Sequence, residues 1–246
     1  MKFDITKLLQ DWEYKPGQVV ARRFQSKDGE KIQLRVDLGI LQMNTLGRPD
    51  GKKPMGYESW YHFYQMRSKI VTSGPFSLGV EDCSRLQQEV VQYHHRYICH
   101  FQLKDFEAVE RDCVRNLEVF EFVGRHAAAP PLAWGLAQFT PQLLMMRTRA
   151  RSELQLISRA RQASVASIEE GITSIEDFYR NNDRNDLLEF SGELISLRQR
   201  LEELQRQPPE GEFERLQMDL AEAIRVEDYE RAAKVRDQLR KLSPES

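Results

Sequence analysis

At 246 residues and 40% apolar side chains, the chain is long enough to bury one large core or two ordinary ones, which excludes a peptide hormone or a disordered tail. Its 30% charged residues nearly cancel to a formal −2, so no whole-molecule field draws it to DNA, RNA or an anionic membrane; a nucleic-acid role would need a local patch. The three cysteines Cys83, Cys99 and Cys113 are odd in number and widely spaced, which suits reduced thiols better than a disulfide framework.

The opening "MKFDITKLLQDWEY" lacks the continuous apolar run of a signal peptide, and no later segment approaches the ~18 apolar residues of a spanning helix. The expected compartment is the cytoplasm, without membrane contact. "GQVVARRF" and "KIQLRVDLGILQMNT" are β-branched and apolar runs joined by "SKDGE", whose Asp28-Gly29 pair favours a turn. They predict two or three antiparallel strands. The next turn is "GRPDG": Pro49 presets φ, Asp50 can bond back to the backbone, and Gly51 accepts a positive φ. In "MGYESWYHFYQM", Tyr57, Trp60, Tyr61 and Tyr64 recur at helical spacing, a ring stripe read as cover for the small sheet, with a groove that stacks a ligand as the alternative. Residues 1–75 thus read as a small α+β domain, which resembles no named family.

Residues 76–206 read as a helical body. "TSGPFSLG" is a linker; Glu81 to about Phe101 and Asp105 to about Val123 are candidate helices separated by "QLK". The join "FQLKDFEAVERD" resembles the centre of a tetratricopeptide-type hairpin over about one repeat. Pro130 and Pro131 end that pair. A long helical tract starts at Thr140 as N-cap with Pro141 at the first helical position. A further helix, about Asp186 to Gln205, carries Leu187, Phe190, Leu194, Leu197, Leu201 and Leu204 as a seam that wants another helix against it.

Residues 207–246 comprise a proline linker and a closing αα-hairpin. Phe213, Leu216, Leu220 and Ala223 form a stripe on its first helix; Ala232, Val235, Leu239 and Leu242 form one on its second. Asp228 can N-cap the second helix, and the small pair Ala232 and Ala233 lets the axes approach closely. Acidic residues dominate Glu212 to Glu230 and basic ones Arg231 to Lys241, so the two helices attract. So short a hairpin buries too little apolar surface to offset its own ordering, and needs the rest of the chain or a second protein. The predicted fold class is mainly α with a small N-terminal α+β part: a β-hairpin or three-stranded sheet, then helical hairpins, then the C-terminal αα-hairpin.

This hairpin closely resembles the UVR domain, the UvrB/UvrC motif, through Leu216, Leu220, Ala223, Asp228, Tyr229, Glu230, Ala232, Ala233, Arg236, Asp237 and Leu239 in the family's order and spacing. In that family the hairpin is a protein–protein contact at the helicase–nuclease junction of bacterial excision repair, in Clp-type ATPases and in the activator of a bacterial protein arginine kinase. The resemblance implies contact rather than catalysis, and a bacterial or organellar origin. The enzymes that carry the module elsewhere leave no trace: there is no G-x-x-x-x-G-K-[ST] loop, no GIY-type nuclease sequence and no paired CxxC site.

Other candidate chemistry is sparse. His95 and Cys99 are i, i+4 neighbours that could share a metal, yet no second pair at ligand spacing exists, so Cys99 is expected in the core and neither metal nor cofactor is expected. No motif activates a nucleophile, and the lone carboxylates Asp37 and Asp50 suit turns or solvent. "RTRARSELQLISRARQ" places Arg147, Arg149, Arg151, Arg159 and Arg161 against Glu153 alone, with Arg149 able to pair with Glu153; it reads as a solvated face, an acidic-partner contact or a phosphate contact. The expected function is a non-enzymatic adaptor or scaffold in a stress-response, repair or Clp-type quality-control complex. It would dock another protein, a second copy of itself included, through Phe213, Leu216, Leu220, Ala223, Tyr229, Ala232, Ala233, Arg236 and Leu239. The rival is a nucleic-acid-associated repair accessory protein that uses the arginine-rich helix.

Overall fold

A computed structural model describes residues 4–70, 74–206 and 211–242, apart from the side chains of residues 213, 214 and 241. After a short helix α1 (Thr6–Gln10) come β1 (Val20–Ser26), β2 (Gly29–Val36) and β3 (Gly39–Asn44), a three-stranded antiparallel sheet in the order β1-β2-β3. Two-residue turns set the register at Ser26↔Gly29 and Val36↔Gly39, and Gly29 takes a φ of +105° that an L side chain rarely adopts. Alternation then sorts the faces. Ile32, Leu34 and Met43 pack with Cys99, flanked by Ile98 and Leu103, so the sheet's core is closed by the helix α3 (Val80–Gln102). The other face carries a polar cross-strand ladder, Arg22 to Gln33 to Gln42, at 2.8 Å for each bond. The N-terminal segment straps it: Arg22 lies 4.1 Å from the centre of the Trp12 ring, and Arg35 donates to the Trp12 carbonyl at 2.8 Å.

The "GRPDG" turn closes as its residues dictate. Asn44 N–H donates to the Pro49 carbonyl, Lys52 N–H to the Asp50 carboxylate, and Gly51 sits at φ +71° where a Cβ would strike the Asn44 amide. The ring stripe is placed differently from expectation. Helix α2 (Trp60–Ile70) begins after Tyr57, whose backbone is extended, so Tyr57 is not on it. Tyr61 meets Phe122 edge-on at 5.6 Å and the Tyr64 hydroxyl donates to Asp82 at 2.6 Å, so the rings cover α3 and α4 (Phe106–His126) rather than the sheet. The first turn of α2 is held by the buried Glu89 carboxylate, which accepts from the N–H groups of Trp60 and Tyr61 at 2.8 and 3.3 Å.

Helices α3 and α4 form one hairpin, with Asp105 capping α4 through the Ala108 N–H. Pro130 and Pro131, which end nothing but start α5 (Pro130–Ala137), sit where a missing N–H costs least. Helix α6 (Thr140–Ile157) has Thr140 inside it, its first bond running from Leu143 N–H to the Phe139 carbonyl. The expected unbroken tract is two helices: the chain turns at Arg159, φ +56°, and α7 (Arg161–Asn181) follows. The leucine seam is shorter than expected, because Ser191 caps α8 (Gly192–Arg206) by accepting from Leu194 N–H. Leu187 falls in a separate 3-10 turn and Phe190 is 77% exposed, whereas Leu194, Leu197 and Leu204 are buried, and α8 packs on α7.

Helices α9 (Glu212–Arg225) and α10 (Tyr229–Leu242) are the last of the described elements. Compact units span residues 1–150 and 151–246, a division inside α6 rather than near residues 75 and 206. The small sheet belongs with the helices α3–α5 because Cys99 fills its core. Among the described residues no helix is long and apolar enough to cross a membrane.

Candidate partner-docking site

The αα-hairpin is built from local chemistry. Helix α9 ends in a Schellman closure, with Asp228 N–H to the Ala223 carbonyl at 2.8 Å and Glu227 N–H to that of Ile224 at 3.1 Å, around Glu227 at φ +58°. Asp228 then caps α10 by accepting from Arg231 N–H at 3.0 Å, and Glu230 pairs with Lys234 one turn on at 2.8 Å. One residue thus closes the first helix with its backbone and opens the second with its side chain.

Between the helices Ala223, Ala232 and Val235 are buried, while Leu216, Leu220, Ala233 and Leu239 are half-buried. Arg231 of α10 bonds Asp219 of α9, the cross-pair that the sorted charges anticipate. Ala223 and Ala232 therefore serve the hairpin's own seam, not an outer contact. The Phe213 side chain lies outside the described residues. Arg236 is exposed and pairs with Asp237 at 3.0 Å.

The most exposed apolar side chains among the hairpin's described residues sit at its tip. Ile224, Val226 and Tyr229 are 54%, 51% and 69% exposed, three apolar side chains within six residues around the turn. Of these the sequence singled out Tyr229 but not Ile224 or Val226, which stand off the seam's helical spacing. On its other side α9 leans lightly on α7, through a Gln162 amide bond to the Gln217 carbonyl at 2.5 Å. A groove of about 620 Å³ remains there, floored by Val165, Ala166, Leu204 and Met218 and rimmed by Glu169, Asp219 and Glu222.

The arginine-rich stretch does not form one exposed face. Arg147, Arg149 and Arg151 are half-buried on α6, Arg149 with its guanidinium 4.7 Å from the Phe101 ring centre. Arg159 is exposed at the break, and Arg161 is buried, donating to the Leu204 carbonyl. The Glu153 carboxylate binds Arg200 at 2.8 Å.

All three cysteines are free and buried. Burial pushes the Cys99 thiol up to about 12 and raises those of Cys83 and Cys113 too, which favours the thiol over the thiolate. Cys99 lies in the sheet's core, and among the described residues no cluster of three or more His, Cys, Asp or Glu side chains is arranged to hold a metal.

The family model of the UvrB/uvrC motif matches residues 212–243, the hairpin and little else. That motif is consistent with a protein-interaction or repair-related role. No curated protein and no solved structure resembles the chain closely enough to count as a match.

Proposed function

We propose that the chain is a non-catalytic adaptor whose C-terminal UVR hairpin docks a partner protein through its tip. The observation that carries this reading is the exposed trio Ile224, Val226 and Tyr229 on a hairpin whose inner seam is already filled by Ala223, Ala232 and Val235. Apolar and aromatic side chains held rigidly at a turn are the kind of anchor that dominates small interfaces. Exposed charge around them, Arg236 included, orients rather than holds the partner. The nucleic-acid reading draws little support from five arginines of which only Arg159 is exposed.

The test compares wild type with an Ile224→Asp, Tyr229→Ala variant, both changes lying outside the seam. Proximity labelling in the native cell should recover a partner with the wild type and lose it with the variant, while circular dichroism shows the hairpin intact. Identical partner sets would sink the proposal, and sedimentation of both proteins shows whether the partner is a second copy.

A further inference from the structure

Side chains from α3, α4, α5 and α6 enclose a cavity of about 290 Å³ within the first unit. Its floor is apolar and deeply buried: Val90, Tyr97, Phe120, Leu136 and Leu143. Its mouth is open, with Val91 and Phe139 nearly half exposed beside it. Packed interiors leave few voids larger than a water molecule, and this one is roughly twice the ~150 Å³ hole that takes up benzene.

The polar groups are few. Gln87, His94, Asn116 and Gln142 line the space, and no lysine, arginine, aspartate or glutamate does, in a chain with 30% charged residues. Asn116 is already engaged, its amide donating to the Val90 carbonyl at 3.1 Å and its oxygen accepting from Arg115 at 3.0 Å. His94 is different. Its Nδ1 lies 2.6 Å from the Tyr97 hydroxyl, and burial holds the imidazole below its ordinary range while raising that of the phenol. With the phenol protonated and the imidazole neutral, taking the Tyr97 hydroxyl as the donor to Nδ1 puts the ring's own proton on Nε2. His94, which lines the space beside Gln87 and Gln142, then has Nε2–H as its remaining donor.

We propose that this cavity binds a neutral, largely apolar small molecule of about a dozen non-hydrogen atoms, anchored by a hydrogen bond from His94 Nε2–H to a carbonyl oxygen. An anionic or cationic ligand is excluded because no lining group would offset the loss of its hydration.

The probe is 2-acetylnaphthalene, with 2-naphthoate as a charged molecule of the same size, each titrated calorimetrically into the full chain. The ketone should saturate a single site, and the carboxylate should bind at least about tenfold more weakly. His94→Phe should weaken the ketone roughly tenfold by removing the donor. Val91→Trp or Gln87→Trp, each at the open mouth, should block it without lowering the thermal midpoint. Failure of the ketone to saturate, equal binding of the carboxylate, indifference to His94→Phe, or binding undiminished in both folded tryptophan variants would overturn the proposal.

Discussion

Arg96 of α3 and Asp112 of α4 are each about 1% exposed and meet in a two-pronged pair, at 2.7 and 2.8 Å. The same guanidinium donates to the carbonyls of Asn44 and Gly47, at 3.0 and 2.7 Å, and so ties the end of the sheet to the helical hairpin. A buried pair of this kind is worth little against a well-packed apolar one, but removing a single partner strands a charge. Asp112→Ala should therefore cost roughly 3–5 kcal/mol in urea unfolding followed by tryptophan emission. Arg96→Met, Asp112→Leu together should cost clearly less than Asp112→Ala alone, leaving the two loop carbonyls and the Arg111 guanidinium, which also bonds Asp112 at 3.1 Å and is itself exposed, to water. A double variant as unstable as the single one would show that the pair itself, not the stranded charge, sets the cost. None of this is legible in the sequence, where an arginine and an aspartate sixteen positions apart look like two solvated residues among many. The same holds for Glu89, which reads as one more surface glutamate until the backbone N–H groups of α2 arrive over it.

At the scale of elements, four helices end in the same way without the glycine that usually marks it. Lys104, Arg159, Asp183 and Glu227 all sit near φ +60°, and at each the amide one residue on bonds back to a carbonyl five residues earlier, as Asp105 does to His100. That conformation costs an L side chain about 1–2 kcal/mol. Glu227→Gly should stabilise the α9–α10 hairpin by roughly 0.5–1 kcal/mol, part of the gain being returned as entropy of the unfolded chain. Slower hydrogen exchange across α9 and α10 is the reading. Ala232→Glu should do the reverse, melting both helices by forcing a carboxylate into the seam, so it tests the hairpin's integrity and not its docking. These closures explain what sequence pattern could reach. The strands and the α9–α10 hairpin were legible because period and turn residues coincide there. The break at Arg159 was not, because an arginine in the left-handed region leaves no compositional mark, and the expected helix runs through it. The candidate docking site was legible to the same degree: its seam follows helical spacing, whereas its exposed tip, Ile224 and Val226, is defined only by what the seam leaves outside.

Over the whole molecule, titration is unevenly placed. All five histidines and all three tryptophans fall within residues 1–150, and the unit spanning 151–246 has neither. Burial holds His94, His95 and His100 below their ordinary 6.5, assisted at His94 by His95 and opposed at His100 by Asp112 and Asp105. A histidine with a depressed folded pKa binds its proton first in the unfolded chain, so its contribution is full above the unfolded value and is lost as the pH falls below it. The loss runs at about 1.4 kcal/mol per pH unit for each histidine protonated only when unfolded. Carboxylates held low, Asp105 in the first unit and Glu176 in the second, act in a lower window, below their ordinary 3.8 and 4.5. From about pH 7 to about pH 5 the first unit should therefore weaken on account of its histidines, read without ambiguity by tryptophan emission in urea. His100→Gln should shallow that slope, since an amide has no proton to take up. Hydrogen exchange, corrected for its intrinsic pH dependence, should lose protection over α3 and α4 more than over α7 and α8. A urea midpoint unmoved across this range, or equal losses in both units, would place the protonation elsewhere than on the buried imidazoles of α3.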